Sequence, residues 1–140
     1  MNTFLPYPNV RSSAECLDYR RLGKQRVEAR QILDILLGKT ESKAWRNHPA
    51  TLMWKGCEDA LAQYHNAIIG EWCSRGFNNS MPFVSERNVE LIHPPWWGND
   101  NFHKSHRSNL LRKDPEWYGK FGWTEPNDLL YFWPTKEGAM

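Results

Sequence analysis

The sequence predicts an all-α fold, a single compact domain over residues 1–140 with three main helices and long aromatic-rich loops. Three observations predict it. Apolar residues recur at helical spacing in three separated segments. No segment alternates apolar and polar residues over strand length. Proline, glycine and tryptophan gather between the periodic segments, where they interrupt helices.

The first helix is signposted by Ser12, read as its N-cap, with Glu15 three residues later as a capping box. Gly38 reads as its C-terminal stop. Between them Leu22, Ala29, Ile32, Leu33 and Leu36 form one apolar stripe. The second helix opens at "HPATLMW", with Pro49 suited to a first helical turn. Met53, Cys57, Leu61, Tyr64, Ile68 and Trp72 follow three or four residues apart, as core rather than cofactor contacts. Gly56 reads as a bend in this helix and Gly76 as its C-cap. Residues 78–100 hold three prolines and no sustained period, so they read as irregular. A third helix is expected over Asn101–Arg112, capped by Asp100, with Asp114 and Pro115 opening a short turn after it. The tail "NDLLYFWP" is apolar enough to pack back on the body.

Composition narrows the function classes. The 140 residues can bury a core without staples. Eight Trp, five Tyr and six Phe stand against a mean hydropathy of −0.74, so aromatics serve both as core and as surface contacts. A net charge of +2 permits a nucleic-acid partner without requiring one. Cys16, Cys57 and Cys73 are odd in number and far apart, which encodes neither a disulfide framework nor a zinc knuckle. They read as buried free thiols of a reducing cytoplasm. The N-terminus lacks a signal-peptide pattern. No apolar run approaches the ~20 residues of a membrane span.

Charge is concentrated in "DYRRLGKQRVEAR", residues 18–30, where five cations accompany Asp18 and Glu28. On a helical wheel Leu17, Arg21, Lys24 and Glu28 share one line at the edge of the apolar stripe, while Asp18 and Gln25 fall inside it. A buried carboxylate needs a partner, and Arg21 is three residues from Asp18. Two readings fit: a structural salt-bridge network, or a polar pocket floor where cations hold phosphates and a carboxylate does acid–base work. The segment "FHKSHRSNLLRK", residues 102–113, adds four cations, His103 and His106 with no acid. It reads as a basic face for phosphates, in preference to a metal site completed by His48. Arg46 and His48 stand at the mouth of the second helix, where free N–H groups either bind an anion or are capped. Trp96, Trp97, Trp117, Tyr118 and Phe121 lie in loops near basic residues, a pattern that suits base stacking as well as core plugging.

The order of three segments resembles a known family. "DYRRL" at the first helix, "SRGFNN" at the end of the second and "RKDPEWYGKFG" near the C-terminus are similar to segments of the phage endonuclease V, or pyrimidine-dimer DNA glycosylase, family. The resemblance spans most of the chain. It implies an all-α domain that binds duplex DNA and flips a nucleotide. It also implies that an N-terminal amine attacks the deoxyribose anomeric carbon with a carboxylate nearby. An α-amine with a pKa near ~8 is partly neutral at pH 7 and can act as that nucleophile.

The chain departs from the family pattern at two positions. Where the family carries its catalytic Glu after Tyr-Arg, this chain has Arg21, or Gly23 in another alignment. Asp18, ~4.5 Å along the helix axis from Arg21, is the preferred substitute carboxylate, and Glu28, ~10 Å away on the same line, is the alternative. Where the family has a small second residue, this chain has Asn2, whose size tends to keep Met1 in place. The nucleophile is then the Met1 amine, the Asn2 amine, or a water activated by a carboxylate.

The resulting expectation is a DNA glycosylase, with or without AP-lyase activity, excising a damaged base such as a pyrimidine dimer from duplex DNA. The alternatives are a glycosylase for an enzymatically modified base in phage–host conflict, or a non-catalytic DNA-binding module of the same fold. Arg20, Arg21, Lys24, Gln25 and Arg26 are expected at the DNA around the lesion. Arg46, His48, His103, His106 and Arg107 are expected to close the pocket and meet the backbone. Trp117 and Tyr118 are expected to position a C-terminal DNA-contacting loop. The expected partner is double-stranded DNA bound by a monomer at the nucleoid, with no membrane, no metal and no organic cofactor.

Overall fold

The computed structural model describes residues 2–40, 45–84 and 92–134. Local caps, more than the apolar stripes, set where its helices begin. The expected first helix is two helices, α1 (Val10–Cys16) and α2 (Tyr19–Leu36). Asn9, not Ser12, caps α1, its side chain accepting from the Ser12 N–H at 2.9 Å. The chain then extends at Leu17 (ψ 140°), and Asp18 caps α2 by accepting from the Arg21 N–H. Two short acceptor side chains, each able to satisfy orphan N–H groups, start two helices where the periodicity suggested one. Gly38 ends α2 as anticipated. At φ +71° it takes the left-handed position, the Lys39 N–H returning to the Asp34 carbonyl and the Gly38 N–H to Ile35.

The expected second helix also divides. α3 (Pro49–Leu52) is a single turn, and Gly56 at φ +86° turns the chain before α4 (Glu58–Ser74). Gly56 is therefore a break rather than a bend, because that conformation lies outside the helical region. Gly76 closes α4 in a Schellman motif, with Phe77 N–H to the Trp72 carbonyl and Gly76 N–H to Cys73. The side chains of Phe77 and Trp72 then meet with ring centroids 4.4 Å apart. α5 (Asp100–Lys113) is capped by Asn99 rather than Asp100. The short turn that follows is the one-turn helix α6 (Pro115–Tyr118), capped by Asp114, and a 3-10 turn over Gly119–Phe121. Among the described residues all regular structure is helical.

α4 packs on both α1 and α2. Leu22, Ala29, Ile32 and Leu33 of α2 share a core with Leu61, Tyr64 and Ile68 of α4 and with Trp54, Trp96 and Phe102. Through this core runs the N-terminal segment, in which Thr3 and Leu5 are fully buried. A non-helical segment at such depth needs side-chain partners for its backbone. Gln25 Oε1 accepts from the Phe4 N–H, Tyr64 donates to the Phe4 carbonyl, and His106 Nδ1 accepts from the Leu5 N–H. Trp54 Nε1 donates to Thr3 Oγ1. The tail returns as expected, with Asn109 Nδ2 donating to the Leu129 carbonyl and the Phe132 N–H to Ser105 Oγ. Among the described residues no helix is long and apolar enough to cross a membrane.

Candidate functional site

The buried N-terminal segment emerges at a cavity of about 860 Å³. Asn2 and Phe4 form one side of it. The N-terminal half of α2 forms another, through Asp18, Tyr19, Arg20, Arg21, Lys24 and Glu28. Lys113, Asp114 and Trp117 contribute from the α5–α6 junction, and Tyr131 and Trp133 from the tail. The predicted polar floor of the first helix thus faces a real cavity, because α2 turns its Arg21–Lys24–Glu28 line out of the core.

The two carboxylates of that floor differ in kind. Asp18 is buried and saturated with donors. Its Oδ1 accepts from the Tyr118 hydroxyl at 2.5 Å and from Arg21 Nη1 at 3.1 Å, and its Oδ2 from the Arg21 N–H at 3.3 Å. Burial alone would raise its pKa, but the Tyr118 and Arg21 hydrogen bonds and the Arg21 charge outweigh it and hold the carboxyl below its ordinary range. Such a group is a fixed anion. Glu28 is half-buried, and burial pushes its pKa up. Its Oε2 accepts from Gln25 Nε2 at 2.9 Å. The same Gln25 nitrogen donates to the Asn2 carbonyl at 2.9 Å. One amide therefore ties a carboxylate of raised pKa to the backbone of residue 2.

Cations crowd the rim. Arg20, Lys24 and Lys113 are exposed there and Arg21 is half-buried. Lys113 has a pKa below the ordinary lysine value, first through partial burial and then through repulsion by Arg21, Arg112 and Lys24. A rim of this kind favours anions, and Phe4, Tyr131 and Trp133 add aromatic rings to the cavity lining.

Other residues singled out in the sequence lie elsewhere. Gln25 is fully buried with both amide atoms engaged, so it clamps the N-terminal segment. His103 and His106 are likewise core groups. His103 Nδ1 pairs with the Leu5 carbonyl at 2.7 Å and its Nε2 accepts from the Gly98 N–H. Burial brings His106 down to about 3 and lowers His103. Arg107 is turned inward, donating to the Pro6 carbonyl at 2.7 Å and pairing with Glu125 at 3.0 Å. Where the sequence suggested DNA contact for Gln25, His103, His106 and Arg107, the structure places all four against the N-terminal segment. The face of α5 that carries residues 103, 106 and 107 packs on the N-terminal segment, and only Lys113 of the basic cluster reaches the cavity.

His48 caps α3, its Nδ1 accepting from the Ala50 N–H, and its ring stands against Trp133 at 6.0 Å. Arg46 is exposed and outside the cavity wall. Arg26 lies over Trp72 at 4.8 Å and donates to Asn79 Oδ1, also outside the wall. Tyr118 is buried beneath Asp18, while Trp117 lines the cavity and donates from Nε1 to the Cys16 carbonyl. Met1 lies outside the described residues. The sequence reading missed Phe4, Tyr19, Asp114, Tyr131 and Trp133. The alternation of Tyr131 and Trp133 in the tail was the one available signal that two rings share a side.

A family model described as pyrimidine dimer DNA glycosylase matches residues 1–85, a stretch that contains the N-terminal segment, α1 to α4 and the whole α2 wall of the cavity. No curated protein and no solved structure matches the chain. With the match covering more than half of the 140 residues and the residues it spans forming the cavity floor, the chain belongs to the pyrimidine dimer DNA glycosylase family.

Proposed function

We propose that this chain is a DNA N-glycosylase that takes a flipped nucleotide into the cavity and attacks its deoxyribose anomeric carbon with the N-terminal amine. The observation that carries the reading is the Gln25 bridge, which holds the Asn2 backbone and Glu28 on one amide nitrogen inside a rim of cations. The lone pair of the neutral amine forms the new C–N bond at C1′, and the bond from C1′ to the base breaks with its electron pair leaving on the base. Glu28 takes the proton lost from the amine and returns it to O4′ as the sugar ring opens to an iminium. Loss of a C2′ proton then expels the 3′ phosphate, which is the AP-lyase step. Glu28 suits the work better than Asp18, because burial raises its pKa and makes it the stronger base, while the Tyr118 and Arg21 hydrogen bonds hold Asp18 as an anion of lowered pKa.

Arg20, Arg21, Lys24 and Lys113 hold the phosphates on either side of the flipped nucleotide. The functional unit is the whole chain, since Lys113, Trp117, Tyr131 and Trp133 complete the cavity from beyond the family match. The nucleophile is the amine of Asn2 if Met1 is removed and of Met1 if it is retained, which intact mass decides.

Borohydride trapping on duplexes carrying a pyrimidine dimer, an abasic site, or a panel of damaged and enzymatically modified bases tests the reading. A covalent protein–DNA adduct is the expected result. Base release without trapping replaces the amine by water. Neither release nor trapping on any substrate refutes the enzyme and leaves a DNA-binding module.

A further inference from the structure

Gln25 holds the backbone carbonyl of Asn2, and the Asn2 side chain has partners of its own. Its Oδ1 accepts from the Thr3 N–H at 2.8 Å. Its amide nitrogen donates to the hydroxyl of Tyr131 in the C-terminal tail. Burial pushes the Tyr131 pKa up, and the Asn2 donor, then the charges of Arg112 and Arg21, pull against it. Tyr131, Asn2 and Glu28 line the same cavity. Tyr131 is itself fixed. Its ring stands against Phe4 at 6.4 Å, His106 at 5.5 Å and Trp133 at 5.7 Å. The backbone on either side of it is pinned to buried residues of α5. The Leu129 N–H donates to Ser108 Oγ at 3.0 Å, and the Phe132 N–H to Ser105 Oγ at 3.1 Å. A ring packed and flanked in this way is locked before it meets its partner, so its hydroxyl can orient Asn2.

The Gln25 bond by itself fixes one substituent of the Asn2 Cα, the carbonyl. That leaves the nitrogen free to swing about the remaining bond. The side chain is a second substituent of the same tetrahedral carbon. When both are held, the direction of the nitrogen is set. That nitrogen is the amine if Met1 is removed and lies one residue from it if Met1 is retained. On the reading of the N-terminal amine as nucleophile, we infer that Tyr131 is a positioning residue for it: its hydroxyl holds the Asn2 side chain while Gln25 holds the Asn2 carbonyl, and together they aim the nitrogen of residue 2. The tail, which lies beyond the matched residues 1–85, thereby belongs to the catalytic machinery. A nucleophile misplaced by about 1 Å loses on the order of 10²-fold in rate.

Tyr131→Phe removes the hydroxyl and keeps the ring. Asn2→Leu removes the amide at the other end of the bond and keeps a large second residue, and intact mass checks that the N-terminus is processed as in the parent. The maximal rate of borohydride trapping on an abasic duplex is measured for both variants and for the double variant, with duplex affinity measured separately. Tyr131→Phe should lower the maximal rate about 10-fold or more and leave affinity within about two-fold. The double variant should be no slower than the slower single one, because both changes break one bond. A maximal rate within about two-fold of the parent, or losses that multiply in the double variant, overturns the inference. Hydrogen exchange gives a readout that needs no DNA. The Thr3 N–H rests on the Asn2 side chain, whereas the Leu5 N–H rests on His106. Either single variant should speed exchange at Thr3 about 10-fold or more relative to Leu5. Equal effects at Thr3 and Leu5, or none, overturn the inference whatever the rates. If the parent forms no adduct, the amine reading fails separately, and exchange at Thr3 alone decides whether Tyr131 anchors residue 2.

Discussion

Replacing Gln25 by Leu should unfasten the N-terminal segment from α2, and its size can be worked from four hydrogen bonds. Gln25 Oε1 accepts from the Phe4 N–H at 2.9 Å and from the Tyr64 hydroxyl at 2.6 Å, while Nε2 donates to the Asn2 carbonyl and to Glu28 Oε2, both at 2.9 Å. Tyr64 has a second acceptor in the Phe4 carbonyl at 2.8 Å, so it is not orphaned by the change. The Phe4 N–H and the Asn2 carbonyl are orphaned, at about 1–3 kcal/mol each for a buried backbone group. The bond to Glu28 is charge-assisted but half-exposed, so it adds about 1 kcal/mol or less. Leu fills a similar volume and offsets part of the loss. The expected destabilisation is about 3–5 kcal/mol, a large fraction of the ~5–15 kcal/mol of an ordinary domain. Urea unfolding followed by tryptophan fluorescence measures it, with the slope checked for two-state behaviour. A change below about 1 kcal/mol would refute the claim that this amide is the anchor of the buried segment. A folded variant that still forms the borohydride adduct at the parental rate would refute its role in holding residue 2 beside Glu28.

Three further outcomes are expected. Glu28→Gln should lower single-turnover base release by about 10²–10⁴-fold. It should also leave stability at pH 7 equal or higher, because a carboxyl whose folded pKa is raised opposes folding once ionised. Thermal melts and rates on the same preparation check both halves. The buried histidines should make stability fall between pH 7 and pH 5. His106 is held at about 3 in the fold, with burial as the main cause, and His103 and His65 are lowered as well. The unfolded chain therefore binds protons that the folded one refuses; His106 contributes about 2 kcal/mol of loss by pH 5, and His103 and His65 add to it in the same direction. A urea midpoint that is flat or higher at pH 5 contradicts this. In DNA binding, Lys113→Ala or Arg20→Ala should reduce the slope of log affinity against log salt by about one. Arg107→Ala should leave that slope unchanged and lower the melting temperature, since its guanidinium serves Pro6 and Glu125. The opposite pattern would return α5 to the DNA interface.

What the sequence determined by itself is what local rules encode. Glycine at 38 and at 76 marked helix ends because only the left-handed conformation lets the chain fold back on the last carbonyls. The stripe of Leu22, Ala29, Ile32 and Leu33 marked the buried face of α2, and the wheel placed Arg21, Lys24 and Glu28 at its edge, where the cavity lies. The segments that carried the family resemblance include Asp18 and the Schellman turn at Gly76, both of which are structural devices. Tertiary structure decided the rest. That Asp18 is held as a buried anion depended on Tyr118, one hundred residues away in the chain, whose hydroxyl donates to it. His103, His106 and Arg107 looked like a basic face, and only the N-terminal segment threading past α5 turned them into anchors for the Leu5 and Pro6 backbone. A helical wheel records which residues share a face. It cannot record what packs on that face, because the burial that silences a histidine or fixes a carboxylate comes from distant segments of the chain.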